Sequence, residues 1–150
     1  MLRNKQSLVC DWQFITAICA APVVWLLLYY IDSPSLSVDW VFTATWLFLS
    51  LVLLQPILEE CVFRGLLQGW LIQRQWGKKS VLGLSQANIV CSTVFVSMHL
   101  FYHAPLMALM VMLPSLVFGH FRDRYHGWLM PAIILHVFYN LGYFLLYAPV

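Results

Sequence analysis

Charge is what this sequence has least of. Eight Lys or Arg and six Asp or Glu make up 9% of 150 residues, against 62% hydrophobic. A soluble domain carries about a quarter charged residues, so a soluble globular fold is excluded and an integral membrane protein remains. The basic residues are also too few and too divided for a nucleic-acid surface. Cysteine is sparse: Cys10, Cys19, Cys61 and Cys91 form no CxxC pair and no zinc-ribbon spacing, and each reads as a small buried apolar residue. There is no HExxH, no low-complexity tract and no internal repeat. The missing repeat argues against a proton-coupled transporter, since many secondary transporters are built from repeats.

What is present is apolar sequence in span-sized runs. Arg3 and Lys5 precede a run that opens like a signal peptide, but it continues through VVWLLLYY. That exceeds the roughly 7–15 residues of a cleavable apolar region, so residues 12–31 are predicted to be a retained span. IDSPSLSVD (31–39) is a turn; residues 40–72 form a second, overlong stretch broken only by Pro56 and a charged cluster. QRQWGKKS (73–80) and FRDRYHG (121–127) are basic loops. Between them, residues 81–120 hold two shorter spans parted near HAP (103–105), and 128–147 is the last span. The prediction is an all-α membrane protein, one domain over 1–150, with about five transmembrane helices.

Cytoplasmic loops concentrate Lys and Arg. With five spans, Arg3, Lys5, Arg74, Lys78, Lys79, Arg122 and Arg124 all fall on one side. The N-terminus is then cytoplasmic and the C-terminus outside, in a multi-pass protein whose compactness suits a prokaryotic inner membrane. Trp12, Trp40, Trp76 and Trp128 lie near span ends, where interfacial anchors belong; Trp25, Trp46 and Trp70 do not.

Ionisable groups inside spans are rare and usually functional. ILEECVFRGLL (57–67) places Glu59, Glu60 and Arg64 in such a run. Glu60 and Arg64 are i,i+4 neighbours able to pair, while Glu59 points about 100° away. A buried charge network gluing helices would explain one Glu–Arg pair, but the arginine compensates only one of two glutamates. FVSMH ends in His99, and HVFYN puts His136 and Asn140 on one helix face. Each histidine alone could be a hydrogen-bonded packing residue. Their appearance with the glutamates on three spans favours one polar site between three helices. His103, His120 and His126 read as solvated loop residues, and Cys61 projects from another side of its helix than Glu59.

The ordered set EECVFR, FVSMH and HVFYN resembles the CAAX-protease and bacteriocin-processing (CPBP, Abi) family of glutamate-type intramembrane endopeptidases, over about residues 50–142. The resemblance implies that Glu59 is the general base and holds an attacking water with His99. His136 and Asn140 donate to the oxyanion, and Glu60, Arg64 and Phe95 support them. It implies no cofactor, with zinc at Glu59, His99 and His136 as the alternative ligand set. The partner implied is a protein or peptide with a membrane-embedded segment in the lipid bilayer, cleaved during sorting or maturation. A non-catalytic assembly or immunity protein on the same core, and a CAAX prenyl-protein endopeptidase, are the competing readings. At 1.5 Å per helical residue, Glu59 lies about 22 Å from Arg74 and Asn140 about 24 Å from Arg124. His99 lies about 17 Å from Asn88 on the same rise. Against a core of about 30 Å, the site is expected past the midplane, toward the outer leaflet.

Overall fold

A computed structural model describes residues 8–34, 38–102 and 104–149, so Arg3, Lys5 and His103 lie outside the described residues. Among the described residues there are six helices: α1 (Trp12–Asp32), α2 (Asp39–Thr43), α3 (Thr45–Leu71), α4 (Gln86–His99), α5 (Pro105–Arg124) and α6 (Met130–Leu146). A two-stranded antiparallel hairpin, β1 (Ser80–Val81) and β2 (Leu84–Ser85), precedes α4. The protein is thus an all-α membrane protein. Three helices, α1, α3 and α5, are long and apolar enough to cross a bilayer. α6 has 17 residues and α4 has 14, about 26 Å and 21 Å of rise.

The chain divides into two compact units. The first comprises residues 1–56 and 137–150. In it, α1 starts at Asp11, whose side chain caps the Gln13 N–H. Only Phe14 and Ala21 of α1 are buried; an all-round apolar helix suits lipid rather than a water-facing surface. Trp25 packs on Phe138 with ring centroids 5.0 Å apart, and the Tyr139 hydroxyl donates to the Ala17 carbonyl at 2.7 Å. Trp40 is buried against Phe48, so it is a packing residue and not the interfacial anchor expected from its position. Ahead of Pro56, the Gln55 N–H reaches five residues back to Ser50. Proline has no N–H and crowds the carbonyl four residues earlier, so the preceding turn widens.

The second unit, residues 57–136, contains the rest of α3, the hairpin, α4, α5 and the start of α6. Phe63, Leu71, Ala87, Cys91 and Phe95 form its apolar core. Two expected boundaries move. The third span starts at Gln86 rather than 81, because residues 80–85 turn back as a hairpin and Ser85 caps α4 through the Asn88 N–H. The second basic loop is shorter than 121–127, because α5 stays helical through Arg124. There Arg122 donates to the Arg64 carbonyl, and Ser85 donates to Asp123. The cysteines also depart from expectation: Cys91 is buried, but Cys10, Cys19 and Cys61 are exposed. On a lipid-facing surface an apolar thiol needs no protein cover.

Candidate active site

The site in the second unit begins at a widened turn. Residues Cys61–Leu67 form a π-helical stretch, with the Gln68 N–H bonded to Phe63, five residues back. Such turns inside α-helices occur often at functional sites. Just before it Glu60, and within it Arg64, are fully buried, with Arg64 Nε 3.2 Å from Glu60 Oε2. Arg64 Nη2 donates to the Ser115 carbonyl at 2.9 Å and to Ser115 Oγ at 2.7 Å. The guanidinium lies 4.9 Å from the Phe95 ring centre and 5.7 Å from that of Phe118, a desolvated cation–π arrangement. The i,i+4 pairing expected from the sequence is therefore present, anchored to α5 as well.

His136 stands against both glutamates. Its Nδ1 is 2.8 Å from Glu60 Oε1 and its Nε2 is 3.6 Å from Glu59 Oε2. A carboxylate paired with arginine can only accept, so Nδ1 carries the proton toward Glu60 and Nε2 faces Glu59. The ring stacks on Phe118 at 4.8 Å and meets the Phe95 edge at 6.2 Å. The side chain of Glu60 is 0% exposed and that of Glu59 is 33% exposed. Two adjacent acids thus have different situations, one closed in and doubly paired, the other reachable from outside.

His99 ends α4 with Nδ1 2.9 Å from the Phe95 carbonyl, which can only accept, so that nitrogen donates. Its ring lies 4.4 Å from Phe95. Phe95 touches Phe63, His99, His136 and Arg64, so the phenylalanine of FVSMH is a wall shared by the whole cluster. Asn140 belongs to the first unit, where its amide donates to the Leu51 carbonyl at 3.1 Å.

Four participants were not singled out in the sequence: Gln68, Asn88, Ser115 and Phe118. Gln68 Nε2 donates to the Gly119 carbonyl at 3.0 Å, and Asn88 Nδ2 donates to Leu116 at 2.9 Å. A signal existed for Gln68 and Asn88, since each is an amide inside an apolar run, and in such runs polar groups usually carry a role. Phe118 offered none. Among the described residues no group of three His, Cys, Asp or Glu side chains could hold a metal ion.

The sequence profile of the type II CAAX prenyl endopeptidase Rce1-like family matches residues 40–142. The chain belongs to that family. No curated protein and no solved structure matches it. The Rce1-like match takes in Glu59, Glu60, Arg64, His99, His136 and Asn140, and places the chain among CAAX-type intramembrane endopeptidases of the CPBP family. Membrane proteases with protein substrates in a bilayer are what this family comprises, in agreement with three span-length apolar helices.

Proposed function

We propose that this Rce1-like protein hydrolyses a peptide bond of a membrane-tethered or exported protein, in the inner membrane of a prokaryote, with Glu59 as general base. The observation that carries this is the unequal treatment of the two glutamates. Glu60 is fully buried, with one oxygen against Arg64 and the other against His136, so it is closed off from an attacking water. Glu59 is one-third exposed and faces the second nitrogen of the same imidazole.

In the reaction Glu59 takes a proton from water while the oxygen attacks the scissile carbonyl, forming the C–O bond and an oxyanion. His99, held by its Nδ1–Phe95 bond, orients the water. Protonated Glu59 sits beside His136 Nε2, so the imidazole can take that proton and present an N–H to the oxyanion. Collapse breaks the C–N bond, and the proton leaves with the amine. Asn140 is the further oxyanion donor that the HVFYN motif assigns by family likeness; in that role its amide would leave Leu51. Removing one such donor typically costs about 3–4 kcal/mol of transition-state stabilisation.

The test is substrate processing in cells carrying Glu59→Ala, His99→Ala or Cys61→Ala. Uncut substrate is expected with the first two and normal cutting with the third. Cleavage by Glu59→Ala would overturn the mechanism. Repeating the assay without a prenyltransferase tells a prenylated tether from an exported protein.

A further inference from the structure

A second polar region lies at the helix ends of the 57–136 unit, built from residues the proposed chemistry does not use. A cavity of about 740 Å³ is lined by Lys78, Ser85, Arg122, Asp123 and Arg124, with His120 and His126 on its walls. Three cationic side chains face one carboxylate there. That carboxylate is already engaged, since Arg122 Nη1 is 3.0 Å from Asp123 Oδ1 and Ser85 donates to Asp123 Oδ2. Lys78, Arg122 and Arg124 against Asp123 give the lining a net charge of two, positive.

The hairpin beside the cavity adds an independent observation. Its two turn residues, Leu82 and Gly83, both have positive φ, 53° and 83°, as a two-residue hairpin turn of the primed type requires. Glycine is at ease there, but a leucine in that conformation is a strained outlier. The strained leucine is 99% exposed, and its neighbour Val81 is 47% exposed. Strain retained at an outward-pointing apolar side chain makes sense where the tip meets apolar material outside the protein. Gly83 itself lines the cavity. An apolar finger beside a cationic hollow, at the ends of membrane helices, matches the two halves of one amphiphile: acyl chain and phosphate.

We propose that this cavity binds the phosphodiester headgroup of an anionic phospholipid, with Lys78 and Arg124 as its charge partners and the Val81–Leu82 tip against its acyl chains. Basic hollows between membrane helices take anionic headgroups by this chemistry. Arg122 gives such an occupant a structural address as well, because its Nε donates to the Arg64 carbonyl at 3.2 Å. The site is independent of the proposed catalytic reading.

The experiment uses the full chain purified in neutral detergent, with lipid retention followed by native mass spectrometry and thermal melting. Probes are phosphatidylglycerol, phosphatidylcholine of matched chains, and glycerol 1-phosphate. Phosphatidylglycerol is expected to be retained and to raise the melting temperature, and phosphatidylcholine to do neither. K78Q/R124Q should lose roughly 25-fold in phosphatidylglycerol affinity, about fivefold per removed charge, while K79Q, outside the lining, keeps it. Leu82→Ser should weaken lipid retention without changing any response to glycerol 1-phosphate. Equal retention of the two lipids, or equal affinity in K78Q/R124Q and wild type, would overturn the proposal. A melting shift from glycerol 1-phosphate with none from phosphatidylglycerol would also overturn it, in favour of a soluble phosphate.

Discussion

Glu59→Gln and Glu60→Gln change the same atom in neighbouring residues, yet the structure predicts opposite consequences for stability. At position 60 the amide leaves Arg64 fully buried without its counter-charge. It also turns an NH₂ toward a donor, either the Arg64 Nε–H or the His136 Nδ1–H. Removing one partner of a buried ion pair costs about 3–5 kcal/mol. At about 2–4 °C per kcal/mol for a chain of this size, the Glu60→Gln protein should melt roughly 6–20 °C below wild type. Glu59 is one-third exposed and the His136 nitrogen facing it is 3.6 Å away, beyond hydrogen-bond reach. Its substitution should cost about 0.5 kcal/mol or less, a shift of at most about 2 °C, while cleavage falls by about 10²–10⁴-fold as for a lost general base. Melting in detergent, alongside single-turnover cleavage of a membrane-tethered substrate, separates the two. If Glu59→Gln melts as low as Glu60→Gln, or Glu60→Gln melts like wild type, the division of labour between them is wrong.

Gly119→Ala would place a Cβ onto the Asn88 and Gln68 side chains; overpacking of this kind costs about 1–3 kcal/mol, readable as a lowered melting temperature. Ser115→Ala removes the 2.7 Å bond to Arg64 but keeps the carbonyl contact. It should cost about 1.5–3 kcal/mol, the worth of a hydrogen bond to a charged group, in the same melt. A strong zinc chelator should leave cleavage unchanged, and loss of activity restored by added zinc would refute water activation by Glu59 alone.

Much of this was legible in the sequence because burying a charge is costly enough to leave a trace. Glu60 and Arg64 stand at pairing distance along a helix, and they pair. The membrane class followed from composition alone, and the helices appear nearly where the apolar runs lie. What was not legible depends on contacts between separate segments. No spacing rule says that His136 will set one nitrogen on each glutamate, because that follows from how α6 packs on α3. The hairpin at 80–85 was hidden because Val81 and Leu82 continue an apolar run, although Leu-Gly between two short segments was a turn signal. Phe121–Arg124 looked like loop because two arginines and an aspartate suggest solvent. Tertiary hydrogen bonds from Arg122 and onto Asp123 hold them helical instead.

The wide turn at Cys61–Leu67 has a consequence for how this helix is counted. In a straight α-helix Glu60 and Gln68, eight residues apart, would sit about 80° out of line. A π-turn absorbs one extra residue, so the effective separation becomes seven and the offset shrinks to about 20°. Glu60, Arg64 and Gln68 can then share the buried face, and all three are 0% exposed. In register terms the chain carries an insertion that the fold has already accommodated. Deleting Val62, which is exposed, would straighten the helix while keeping Glu60 and Gln68 in phase. Deleting a residue outside the bulge would rotate one set of polar groups away from the other.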